Sequence, residues 1–279
     1  MTHDAIRHDP ITHDPITREL TFGFSPCPND TFAFHALVHG LVDAPFRVRP
    51  VLLDIETLNQ RARHGAFHLT KLSVGAFSTI GDRYRLLRSG AALGHGVGPL
   101  VVTRTPQSLQ DAVRGRIAIP GHDTTAYCLL RLATPITGHV IDIRYDRILQ
   151  AVADGDVDAG LIIHESRFTY AEQGLVCAAD LGRWWEEHTG LPVPLAGICA
   201  RADLDDDTAA AAERAIRDSV QFAFDHPEAS RSYVREHAHE MSDDVCAAHI
   251  QLYVNRHSLD IGDDGHEAIG RLVGGASAG

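Results

Sequence analysis

The chain has 279 residues, 44% hydrophobic and 22% charged, enough for one large domain or two lobes with sizeable cores. Its formal net charge is −12, from 25 Lys+Arg against 37 Asp+Glu. Without a basic stripe it lacks the footprint of a nucleic-acid binder or of a protein that docks on an anionic membrane, and no apolar run is long enough to span a bilayer.

Residues 1–18 are polar, carry a tandem HDPIT repeat at 8–12 and 13–17, and lack the apolar stretch of a secretory signal. They are expected to form an unstructured tail whose histidines are suited at most to weak metal capture. Five cysteines (Cys27, Cys128, Cys177, Cys199 and Cys246) are an odd number with no CxxC pair, which predicts reduced thiols and a cytoplasmic location. From residue 20, short apolar runs alternate with helical patterns, the signature of an α/β fold with largely parallel sheets. Strands are predicted at 20–24, 48–53, 67–71 and 98–103, with helices at 30–39, capped by Asn29 or Asp30, and at 56–64. A second series follows. It has helices at 109–113, 124–133, 147–153 and around Trp184-Trp185, and strands at 116–119, 140–144, 159–163, 176–179 and 195–200. Residues 206–274 read as helical, with caps at Asp207 or Thr208 and at Ser242, and with Pro227 opening a helix.

The restarted series predicts a two-lobed molecule, each lobe a mostly parallel sheet flanked by helices. Residues 19–103 with 199–279 form the large lobe and 104–198 the small inserted one, joined by crossovers near 104 and 198. A ligand then sits in the cleft between lobes. A single doubly wound sheet is the alternative.

Several constellations could carry chemistry at strand ends, where α/β sheets bind ligands. The Ser25–Thr31 stretch holds two prolines and then polar side chains at a helix start, which makes Ser25 and Asn29 candidate ligand contacts; a well-capped helix is the plain reading. Cys27 in the same turn is a candidate nucleophile without a visible base. Thr124 and Thr125 open a helix after a glycine turn, one hydroxyl more than capping needs, and suggest a seat for a carboxylate or phosphate. No GxxxxGK[ST] or GxGxxG cradle is present. Lys71 is the only lysine, as if its site needs a compact charge rather than a planar fork. The apolar run 161–163 leads straight into His164, which places an imidazole on a rigid support as a candidate general base. Position 168 is Phe, so HExxH zinc chemistry is not indicated. Glu165 or Ser166 could orient the ring.

Together, SPCPNDTFAFHALVHG, DIETLN, LTKLS, SGAALGHGVGPLVV, TTAY, RYDRIL and GLIIHESRFTY resemble the 1,4-dihydroxy-6-naphthoate synthase (MqnD) family of the futalosine route to menaquinone, over about residues 20–275. Chorismate dehydratase is a sister family with the same fold. SPCPND and HESRFTY favour the synthase. The histidine-rich start and the Gly/Ala-rich end depart from the pattern without touching these motifs. The resemblance implies a type II periplasmic-binding-protein-like fold. It also implies a lyase that converts cyclic dehypoxanthinyl futalosine to 1,4-dihydroxy-6-naphthoate with no metal or organic cofactor. Carried over by position, it makes His164 the proton acceptor, and Thr124, Thr125 and the stretch Lys71, Leu72 and Ser73 substrate contacts. The expected partner is a small carboxylate-bearing molecule; a homodimer is left open. A non-catalytic carboxylate receptor and a Cys27-dependent covalent enzyme are the rival readings.

Overall fold

Apolar residues that run into Ser-Pro and Asn-Asp punctuation build the first strand–helix unit. β1 (Arg18–Phe24) is exposed at Arg18 and Glu19 and buried from Phe22 onward. α1 (Pro28–Val38) then starts on a proline, whose fixed φ suits the first helical position. Its cap residue is Cys27, so Asn29 and Asp30, expected as caps, lie inside the first turn instead and are free to face the cleft. In the computed structural model, residues 18–238 and 242–278 are described; the predicted tail falls outside them except for Arg18, which opens β1.

The chain continues through β2 (Phe46–Leu52), α2 (Ile55–Ala62), β3 (Leu69–Ser73), α3 (Phe77–Ile80), β4 (Tyr84–Leu86) and β5 (Ala92–Gly94). It then runs through β6 (Leu100–Thr103), α4 (Leu109–Ala112), β7 (Arg116–Ile119), α5 (Thr125–Ala133), β8 (His139–Asp142), α6 (Ile148–Asp154), β9 (Ala159–Ile162), α7 (Ser166–Thr169), β10 (Val176–Asp180) and α8 (Leu181–Thr189). β11 (Val193–Arg201) leads into α9 (Asp206–Asp225), α10 (Arg231–His237), α11 (Asp243–Tyr253), α12 (Arg256–Leu259) and α13 (Gly262–Ala278). Ser242 caps α11 as expected, whereas Asp205 rather than Asp207 or Thr208 caps α9. None of the described helices is long and apolar enough to cross a membrane.

The strands form two sheets, not one doubly wound sheet: β2-β1-β3-β11-β4, with β5 also on β11, and β10-β6-β9-β7-β8. Both are mixed rather than mostly parallel. β1 pairs in parallel with β2 and β3, and β7 with β8 and β9, but β11 is antiparallel to its neighbours, and β6 to β9 and β10. The antiparallel strands are those that carry the chain between sheets, so each enters its sheet against the direction of the local βα units. For the same reason the crossings fall earlier than expected. β6 already belongs to the second sheet before residue 104, and β11 joins the first at Val193. Just before β6 the chain passes against the start of α8 at Gly98, where an added Cβ would lie 2.6 Å from the Gly182 Cα.

One apolar cluster packs α1 and α9 against the first sheet, through Phe22, Phe34, Ala212 and Ile216. A second runs through both sheets, from Leu93 and Val97 to Ile117, Leu129, Tyr253 and Leu272. Polar contacts join the sheets across the cleft as well. Asn59 Nδ2, which donates to Ser73 Oγ on its own side (3.0 Å), also donates across to the Asp123 carbonyl (3.3 Å). Gly75 allows a close approach of backbones, because a Cβ there would lie 2.9 Å from the Thr124 carbonyl oxygen and 3.1 Å from the Cys128 Cβ. Gly75→Ala is therefore expected to cost about 1–3 kcal/mol by overpacking, read as a lowered urea midpoint with an unchanged slope.

Candidate active site

β9 delivers an apolar run to the edge of the cleft, and the chain then turns sharply. Among the described residues His164 is the one non-glycine with positive φ, at 58°. A β-carbon in that region is strained, and such strain persists where the surroundings over-determine it, typically at functional sites. The turn aims the imidazole into a cleft that Ser25, Asn29, Lys71, Ser73, Thr124 and Thr125 also line. Of the sequence-predicted contacts only Leu72 is elsewhere. Strand alternation points Lys71 and Ser73 to the cleft and turns Leu72 into a cluster with Ala62, Ile80 and Cys199, so Leu72 is core.

At the start of α1 the buried Asp30 carboxylate forms the hub. It pairs with the Lys71 ammonium, accepts from the Ser25 backbone N–H (3.0 Å) and hydroxyl (2.7 Å), and accepts from Asn29 Nδ2 (2.8 Å). Lys71 is thus not a free cation awaiting a ligand anion. A buried lysine needs a counter-charge, and Asp30, read from sequence as no more than a cap, supplies it. Asn29 keeps its Oδ1 buried and without a partner.

The threonine pair also differs from expectation. Thr124 Oγ1 caps α5, accepting from the Tyr127 N–H (3.2 Å) and donating to the Gly121 carbonyl (2.8 Å). Thr125 Oγ1 donates to the Leu195 carbonyl (2.6 Å) and accepts from the Gly75 N–H (3.0 Å), which clasps the two sheets together. Both hydroxyls are committed within the protein. What α5 offers the cleft is its first-turn backbone, where Thr125 and Ala126 lie beyond the reach of intrahelical acceptors. Ser73 Oγ accepts from Asn59, which leaves its proton free to point at a ligand.

The base candidate sits in a dry setting. Burial first, then the nearby Lys71 ammonium, lower the His164 pKa to about 4, so the ring is neutral at ordinary pH. Nδ1 lies 3.5 Å from Cys27 Sγ, and Tyr145 meets the ring edge-on with centroids 5.0 Å apart. Nε2 is sealed from solvent and has no partner. Cys27, not Glu165, therefore holds the inner nitrogen; the Glu165 carboxyl lines a separate pocket beside Tyr145 and its pKa is raised by burial. Burial, and next the Glu165 charge, push the Cys27 thiol far above its ordinary value, which leaves it a poor nucleophile.

Two aromatic cleft residues escaped the sequence reading, His249 and Tyr253 of α11. With Cys246 they form the helix's buried face at a spacing of three and four, a pattern visible in the sequence but indistinguishable there from ordinary core. Among the described residues, no three His, Cys, Asp or Glu side chains converge as a metal-binding group.

The two-sheet α/β arrangement recurs in solved proteins of low sequence identity. Although only 12% identical, the periplasmic aliphatic sulphonate binding protein of Escherichia coli superposes with a TM-score of 0.63 over 92% of this chain and 86% of its own. A solved protein of Archaeoglobus fulgidus matches far better, with a TM-score of 0.88 and 36% identity over 93% of this chain and 97% of its own. Residues 20–278 match the model of the menaquinone biosynthesis family, and the chain belongs to that family. Among its relatives, the 1,4-dihydroxy-6-naphthoate synthase of Thermus thermophilus is 55% identical over 93% of this chain and 94% of the relative. That of Streptomyces coelicolor is 44% identical over 93% of each.

A neutral buried histidine links stability to pH. Its folded pKa of about 4 lies below the ordinary 6.5, so between those values the unfolded chain binds more protons and acid favours unfolding. His164→Asn, which tolerates the left-handed backbone, is expected to flatten the fall in unfolding free energy from pH 7 to pH 4 by on the order of 1–3 kcal/mol, measured by urea titration.

Proposed function

We propose that this chain is a carbon–carbon lyase that converts cyclic dehypoxanthinyl futalosine to 1,4-dihydroxy-6-naphthoate, with His164 as general base. The observation that carries the reading is the neutral His164, whose Nε2 is buried and unpartnered at the wall of the cleft. Family membership and the names of the Thermus and Streptomyces relatives supply the substrate class. With Nδ1–H directed at Cys27 Sγ, Nε2 keeps its lone pair for a substrate hydroxyl. As it takes that proton, the O–H electron pair becomes a new carbonyl and the adjacent C–C bond breaks. Its electrons pass to the neighbouring ketone as an enolate, and loss of the sugar-derived fragment lets the second ring aromatise. No external oxidant or reductant enters this step.

In this reading the substrate carboxylate rests on the first-turn amides of α5 at Thr125 and Ala126, where the helix dipole favours an anion. Ser73 donates its free hydroxyl proton, and Thr124 and Thr125 act through their backbone and their hold on the cleft walls. Ser25 and Asn29 shape the opposite wall around Asp30, and the remaining Lys71 protons face the ligand from a paired, near-neutral site. Closure of the large lobe on the small one would exclude water and fix the geometry. The same cleft could hold a carboxylate without turning it over. A strained turn that exposes an unpartnered base is what favours catalysis over simple binding.

Incubation with the cyclic futalosine derivative is expected to yield the naphthoate, followed by its absorbance. His164→Asn should lower kcat by at least about 10²-fold while the protein still binds substrate, as expected when a general base is removed. Turnover at the parental rate would show that His164 is not the base. Binding without product in the parent protein would establish a receptor instead.

A further inference from the structure

The polar groups around the cleft are mostly paired, and the exceptions are few. Asn29 Oδ1, His164 Nε2 and both ring nitrogens of His249 are buried there without a hydrogen-bond partner. His249 is the most anomalous of these, because the residue is 1% exposed and its whole polar inventory is unused. Each buried polar atom without a partner costs about 1–3 kcal/mol. An apolar side chain at this place on α11 would carry no such cost, since the rest of the helix's buried face is Cys246 and Tyr253. Its ring lies nearly parallel to that of His164, at 26° with centroids 6.2 Å apart, and is packed by Tyr253 (4.7 Å) and Phe168 (6.4 Å). The two imidazoles therefore stand side by side on one cleft wall, both rigidly held.

We infer that His249 is a second catalytic residue, a neutral imidazole whose ring N–H donates to the substrate ketone oxygen as that oxygen becomes an enolate. This rests on the lyase reading above. That reaction has two oxygens to serve, the hydroxyl that loses a proton and the ketone that gains negative charge, and His164 can attend only to the first. The proton passes from the hydroxyl to His164 Nε2, while the His249 N–H bond stays intact and its hydrogen bond strengthens as charge arrives. Burial, then the neighbouring His164 and Lys71, hold the His249 pKa well below its ordinary value, so the ring keeps a single N–H and stays uncharged. A neutral donor suits this task, since a fixed dipole aimed at developing charge needs no reorganisation when the reaction occurs.

The test compares His249→Phe and His249→Leu, which remove the donor, with His249→Gln and His249→Asn, whose side-chain amides reproduce an N–H near Nε2 and Nδ1 respectively. All are measured on the full chain with the cyclic futalosine derivative, and thermal melting identifies the variants that fold. Whichever apolar variant folds is expected to lose about 10²–10³-fold in kcat, as for loss of an oxyanion donor, with KM changed by less than about threefold. One of the two amide variants should recover at least about tenfold of that loss, and which one does so identifies the donating nitrogen. An apolar variant within about threefold of the parent kcat overturns the inference, as does a loss that neither amide reduces. If the parent protein makes no naphthoate, the lyase reading itself fails, and the role of His249 fails with it.

Discussion

The site is organised by one buried ion pair. Lys71, in the middle of a strand buried at every position, could not keep its charge there alone, and Asp30 answers it from the first turn of α1. Removing one partner of such a pair costs about 3–5 kcal/mol, because the other is left charged and desolvated. The pair thereby fixes where α1 begins relative to β3. Asp30 passes this order on by accepting from Ser25 and Asn29, which sets the Ser-Pro-Cys-Pro turn and places Cys27 against the inner nitrogen of His164. The His164 ring is aligned by contacts that trace back to the same carboxylate.

The pair also governs the electrostatics of the cleft. Lys71 lowers the His164 pKa while Asp30 raises it, so the two charges oppose each other and desolvation remains the larger influence. The result is a site without a strong net field at His164, in which both histidines are neutral because the space is dry. A free lysine at the same place would have made a tighter anion trap. On the proposed reading the anion-binding task falls instead to the first-turn amides of α5, which carry partial charge without the desolvation penalty of an ion.

Much of this architecture was legible in the sequence. The alternation of apolar strands with capped helices marked both sheets, and the run into His164 put that imidazole at a strand end, beside the cleft it lines. What escaped was what depends on long-range pairing. β4 and β5, three residues each, carry too little periodicity to read and exist because β11 offers them an edge. Leu72 followed Lys71 and Ser73 in a motif, but strand alternation sends it to the other face. The Thr124 and Thr125 hydroxyls looked like ligand donors because their acceptors, the carbonyls of Gly121 and Leu195, were not visible from spacing; the second is 70 residues away. Asp30 and His249 were overlooked for a related reason. A carboxylate in a first helical turn and a histidine on a buried helix face have ordinary local explanations, and only tertiary placement shows which polar atoms are paired and which are not.

That distinction separates the two sides of the cleft. On the side built from β1, α1 and β3, almost every polar atom is used within the protein, and this spends the local flexibility that a ligand could otherwise exploit. On the side built from the end of β9 and from α11, His164 Nε2 and both nitrogens of His249 are buried without partners, and the backbone at His164 is held in a strained conformation. A folded chain retains such costs where a bound molecule relieves them. On the proposed reading the satisfied side is a mould that fixes position, and the unsatisfied side is where bonds to the substrate change. A mould alone would suffice for a receptor, and the uncompensated histidines on the opposite wall are what a receptor would have no reason to keep.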